Sequence, residues 1–156
     1  MANMASGLYA LPFREALYDA SPVAMNLTSA SNVVGLMLDT FATNEEYDTI
    51  AAYDTNITDY EVLEAAAGYD RMGSGTGKAV GGTPTFAVGT ATQLKYAWST
   101  TVAWAASTIT ANGMVIGTVT TFVPFVGVGF GGNYTSTTGT FTITQNASGI
   151  FTIDLS

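Results

Sequence analysis

A mainly β, antiparallel domain of sandwich or barrel type, with an N-terminal arm and one or two short helices, is the fold this sequence predicts. Three observations predict it. From Gly81 to Ser156 apolar residues fall at period two, as in Thr140-Phe141-Thr142-Ile143-Thr144 and Phe151-Thr152-Ile153-Asp154-Leu155, the alternation of half-buried strands. Glycine-containing turns divide this region into segments at the 8–12-residue spacing of sandwiches and barrels. Thr, β-branched and polar at once, fills the outward positions.

The elements follow in chain order. Residues 1–30 read as an arm with a short helix: Pro12 suits a first helical turn, and Leu11, Phe13, Leu17 and Tyr18 recur near helical spacing. Residues 31–156 read as one β-rich domain, because 156 residues without a solenoid-length repeat suit a single core. Val33 to Leu38 reads as a buried strand. Between Asn44 and Ala67, Tyr47, Ile50, Tyr53, Ile57, Tyr60 and Leu63 recur every three or four positions among acids, which predicts one or two short helices with acidic outer faces. Gly73-Ser74-Gly75-Thr76-Gly77 reads as a loop. Strands are then expected near 84–88, 93–98, 101–105, 113–119 and 121–128. The C-terminus reads as a hairpin pairing 140–144 with 151–155 through an Asn146-Ala147-Ser148-Gly149 turn.

Composition excludes several functions. Four Lys and Arg stand against twelve Asp and Glu, for a net charge of -8, so phosphate neutralisation cannot hold nucleic acid. Cys and His are absent, which removes thiolates, disulfides, the usual neutral-pH base and the commonest metal ligands. Only 10% of the residues are charged, against about 25% in an ordinary domain. Sixteen charges cannot cover the roughly 7,500 Å² that a monomer of this mass exposes, which points to a surface covered in part by neighbouring subunits. The longest apolar stretch, Phe122 to Phe130, is interrupted by Pro124, Gly127 and Gly129 and falls short of the roughly 20 residues of a spanning helix. The first residues lack the pattern of a secretory signal. Synthesis in a cytoplasm and no membrane partner are the expectations.

No motif carries catalysis. The Gly73–Lys78 run has Met72 where a phosphate loop needs Gly, and Ala79 where it needs a hydroxyl. Gly127-Val128-Gly129-Phe130-Gly131-Gly132 matches the dinucleotide glycine spacing, but strand-and-turn residues follow it instead of a helix; a glycine-relaxed strand or bulge is the better reading. Asp54, Asp59, Glu61 and Glu64 could supply a non-standard calcium site or a carboxylate pair. Asp59 stands where the calcium loop needs Gly, however, and Ala65 where it needs Glu. An acidic, solvated helix face is the plain alternative. Trp98 and Trp104 are as readily core. The expectation is no enzyme, no cofactor and no metal.

Whole segments nonetheless look familiar. Leu8-Tyr9-Ala10 with Arg14-Glu15-Ala16-Leu17, the strand Val33 to Asp39, the run Val102 to Ile116, and Ser136 to Ile143 followed by Gly149-Ile150-Phe151-Thr152 together resemble a family of small tailed-bacteriophage virion structural proteins, of head decoration or minor capsid type. The chain departs from that pattern at Gly117–Thr121, where the family carries a Tyr-Lys-Asp-Thr-Gly segment. It departs again at Gln145-Asn146, where the family carries an acid. The resemblance implies a head-associated structural role, and the net charge of -8 favours the capsid exterior over a surface lining DNA.

The expectation is therefore a capsid decoration, or cement, protein on the outer surface of the major capsid lattice. Its partners would be the major capsid protein and its own copies, as a homotrimer. Leu8, Tyr9, Leu11, Phe13, Leu17 and Tyr18 are the candidate capsid contacts, and Phe122, Phe125 and Phe130 the candidates for self-association. Both sets have ordinary core packing as their alternative. A low-copy fibre-base module binding a receptor or glycan is the alternative function.

Overall fold

A computed structural model describes residues 6–9, 26–37, 57, 60–62, 68–71, 77–90, 93–118 and 123–154. The chain is mainly β, with two antiparallel sheets arranged like a sandwich. The strands are β1 (Gly7–Leu8), β2 (Val33–Met37), β3 (Lys78–Ala79), β4 (Thr85–Thr90), β5 (Gln93–Ala97), β6 (Val102–Gly117), β7 (Pro124–Ile143) and β8 (Phe151–Asp154). One sheet runs β1-β7-β6-β2-β3 and the other β4-β5-β8. Among the described residues no helix is long and apolar enough to cross a membrane.

The large sheet is built on one long hairpin. The expected strands at 101–105 and 113–119 are a single strand, β6, and those at 121–128 and 140–144 belong to β7. Residues that read as breaks in the sequence are bulges instead. The β6–β7 register slips beside Ala106 (φ 51), Thr138 (φ 50) and Gly131 (φ 80), so the ladder bends and resumes where a turn was expected. The inward positions of this hairpin, Val102, Trp104, Ile109, Met114, Ile116, Phe125, Phe141 and Ile143, are buried. Trp104 and Phe141 are direct cross-strand partners with rings 6.1 Å apart, the edge-to-face contact such pairs favour.

Tyr96 of β5 joins the two sheets. Its ring meets Phe125 of β7 edge-on at 5.5 Å and stacks on Phe151 of β8 at 5.3 Å. The same residue explains why the expected C-terminal hairpin does not form. The Asn146–Gly149 turn is present, with Gly149 N–H donating to Asn146 O at 2.8 Å. Its two arms then part, Thr140 to Ile143 staying with β6 while β8 pairs with β5. Gly149, at φ 92, lies so close to Tyr96 that a Cβ there would sit 2.6 Å from the Tyr96 carbonyl oxygen. Ile150 N–H donates to that same oxygen at 2.9 Å. Local turn chemistry set the bend, and burial of Phe151 against Tyr96 and Phe86 chose the partner strand.

Gln145 fixes this corner. Its Oε1 accepts from Trp98 N–H at 2.9 Å, and its Nε2 donates to Trp98 O. One side chain thus completes both backbone groups of Trp98, which a carboxylate, having no donor, cannot do. The expected helical segment between Asn44 and Ala67 is described only at Ile57 and Tyr60 to Val62, where Glu61 N–H donates to Ile57 O in one helical turn. Val62 then bonds Leu36 O beside β2. The expected arm helix at Leu11 to Tyr18 lies outside the described residues.

Two predictions follow from this packing. Replacing Gln145 with Glu leaves Trp98 O without its donor and should cost about 1–3 kcal/mol, read as a lowered urea midpoint with an unchanged slope. Burial pushes the Tyr96 phenol from 10.0 up to about 12, with the Asn32 side chain pulling the other way. The folded state therefore holds this proton more tightly than the unfolded chain. The resulting stability is complete below pH 10 and is lost between pH 10 and about 12. The loss should reach about 2–3 kcal/mol in alkaline denaturation, and Tyr96→Phe should remove that part of the pH dependence.

Candidate functional site

The bulges that bend β7 leave ladder positions unpaired, and hydroxyls occupy them. Ser107 Oγ lies 3.0 Å from Trp104 O and from Ser136 Oγ, and 3.3 Å from Gly139 O. Ser136 Oγ accepts from Ile109 N–H at 3.3 Å, and Thr108 Oγ1 from Thr138 N–H at 3.2 Å. Further along, Thr110 and Thr135 pair through their hydroxyls at 2.9 Å, and Asn112 Nδ2 donates to Asn133 Oδ1 at 3.0 Å. The sequence gives the outward Thr residues a solubilising role; Ser107, Thr108 and Ser136 also close the gaps in a bulged ladder.

Bending makes β7 concave. A groove of about 400 Å³ runs along it, lined by Phe130, Tyr134, Thr140, Phe141, Thr142 and their neighbours up to Thr144. Tyr134 is 57% exposed, and Phe130 holds its ring edge-on at 6.1 Å. No Asp, Glu, Lys or Arg lines the groove among the described residues. Sequence reasoning did not single out Tyr134. The available signal was an aromatic residue just after Gly131-Gly132, where a strand carrying a bulge lifts its next side chains out of register.

The candidate contact residues separate into three groups. Tyr9 and Phe125 are fully buried, so their rings serve this chain's core and are not offered to a partner; Tyr9 N–H donates to Phe125 O at 3.1 Å. Leu8 and Phe130 are half-buried against the core, Leu8 as part of β1, which pairs with β7 through Gly7↔Gly127 and Leu8↔Val126. Leu11, Phe13, Leu17, Tyr18 and Phe122 lie outside the described residues. Trp98 and Trp104 are core.

Of the acids weighed for a cation or hydrolytic pair, Asp54, Asp59 and Glu64 lie outside the described residues. Glu61 does not sit on a solvated face. It is completely buried, accepting from Tyr69 Oη at 2.7 Å and lying 3.4 Å from Arg71 Nε. Tyr69 Oη in turn accepts from Leu36 N–H at 2.7 Å, so the carboxylate anchors the segment around residues 61 and 69 to β2. Among the described residues no three acids converge as a metal site would require. No family model matches the chain, and no curated protein or solved structure shows significant similarity to it.

The Glu61 network yields a prediction of its own. Glu61→Ala removes the buried carboxylate that accepts from the Tyr69 hydroxyl and faces Arg71 and should cost about 3–5 kcal/mol, measured by chemical denaturation. A loss below about 1 kcal/mol would mean that the ion pair behaves like a surface one.

Proposed function

We propose that this chain is a decoration protein of a tailed-bacteriophage head, bound as a homo-oligomer, a trimer, to the outer surface of the major capsid lattice. One observation carries the reading. The two longest segments that resemble the virion family, Val102 to Ile116 and Ser136 to Ile143, are each other's antiparallel partners in the β6–β7 hairpin. The words shared with that family thus form one structural unit. That unit carries no charged side chain, which suits a surface meant for repeated protein contact.

The mechanism is cumulative burial. A specific patch buries about 1,600 Å² in total, and repetition over a lattice multiplies a modest affinity. Uncharged Thr-rich positions lower the desolvation cost of each contact, since no ion must leave water. With Tyr9 and Phe125 committed to the core, the exposed outer part of the hairpin replaces them as the contact surface in this reading.

Protein stoichiometry in purified particles, before and after mild heating, tests it. The expected result is a copy number approaching that of the capsid subunits, with heads that leak DNA once the protein is stripped. A few copies per particle, intact heads and lost adsorption would overturn it in favour of the receptor-binding module.

A further inference from the structure

We propose that the outer edge of β4 is an interface between two copies of this chain, paired antiparallel about a two-fold axis at Ala87. β4 lies at the rim of the three-stranded sheet, with β5 on one side and no described strand on the other. Thr85, Ala87 and Val88 are exposed, and Val88, at 69%, is the most exposed large apolar side chain among the described residues. The other described edges are closed to strand pairing. β1 and β3 are two residues each, β8 carries Asp154, and the outer side of β7 is irregular at Gly131 and Thr138. Short, charged or bulged edges resist strand addition. Thr85 to Thr90 carries no charge and keeps a regular register from Thr85 to Val88.

The core of the molecule runs out to this edge. Phe86, Tyr96 and Phe151 form one cross-strand row, packed ring on ring and joined to the large sheet through Phe125. The next row, Val88, Leu94 and Ile153, continues the same face. It leaves Leu94 and Ile153 only half-buried and Val88 open. A partner at β4 therefore continues an interface that already exists between the sheets, and must supply an apolar residue opposite Val88.

A second copy supplies it. Pro84 has no N–H to donate, and the register slips between Val88 and Thr90, so pairing is confined to residues 85–88. Directly opposed side chains share a face, so the axis must pass through a residue if both apolar faces are to lie on one side. Only Ala87 then pairs both Phe86 and Val88 inside the regular stretch, each Val88 against Phe86 of the partner subunit. Aromatic and β-branched residues opposed in this way stabilise a sheet. Charge agrees with this occupant. Two chains of net charge -8 repel one another, and an uncharged edge lets them meet with no like charges opposed. Area sets the strength. A stable interface takes about a tenth of a small protein's surface from each partner, here out of 7568 Å². Four paired residues supply less, so the contact is weak in dilute solution and gains from repetition.

The chain has no Cys, so one introduced thiol reports one contact. Residues opposed across an antiparallel pair have Cα atoms about 4.5–5.5 Å apart, within disulfide range. Ala87→Cys should form a disulfide-linked dimer under mild oxidation about tenfold faster than Thr152→Cys, which is exposed on the opposite rim of the same sheet. Sedimentation of the unaltered chain from about 10 μM to about 1 mM should show concentration-dependent association. Val88→Lys should weaken that association at least about tenfold, with circular dichroism unchanged because the side chain is exposed in the single chain. Equal or absent cross-linking at the two sites, or sedimentation that Val88→Lys leaves unaltered, overturns the proposal. The contact does not rest on the head reading, which particle stoichiometry decides without reference to β4.

Discussion

The pairing of β6 with β7 positions the other elements, because β1 adds to β7, β2 adds to β6, and Phe125 of β7 carries the contact to Tyr96 in the second sheet. The hairpin is long, 16 residues against 20, and two strands of that length cannot stay flat. Strand twist accumulates along a ribbon, so either the ladder breaks or it takes in extra residues. This chain takes in extra residues, at Ala106, Gly131 and Thr138, and repairs the lost backbone bonds with Ser107, Ser136 and Thr108. An unpaired buried backbone group costs about 1–3 kcal/mol, so the Ser107 and Ser136 hydroxyls, at buried or part-buried bonds, are structural in the same sense as Trp104, while the Thr108 bond lies at the exposed surface. The concavity that receives Tyr134 is a consequence of that repair.

What was legible in the sequence follows from how local each signal is. Alternation identified strand material around Phe141 and Ile143 because period two is written in the residues themselves, and the Asn146–Gly149 turn is equally local. Partner choice is not local. Phe151 leaves that turn for β5 because Tyr96, more than fifty residues away in sequence, offers a ring and a carbonyl. Bulges are hidden for another reason: Gly131-Gly132-Asn133 and Ser136-Thr137-Thr138-Gly139 have the composition of turns, and only the opposing strand determines that they are not. The groove shared this fate, since it exists only once β7 is bent. Tyr9 and Phe125 look like contact residues by type, and what places them inside is the addition of β1 to β7.

Charge is distributed with a matching logic. Nine of the twelve acids fall between Val33 and Asp70; of the two described there, Asp70 is exposed and Glu61 is buried and engaged with Tyr69 and Arg71. The strands from Val102 to Ile143 carry none. At physiological salt a charge is screened beyond about 8 Å, so acids elsewhere on the chain weigh little on what approaches the hairpin at close range. What meets that surface exchanges water for hydroxyls and a tyrosine ring, a transfer far less costly than burying an ion. Because the bend is fixed by side chains that hold the ladder together, its shape does not depend on whether the outer face is occupied.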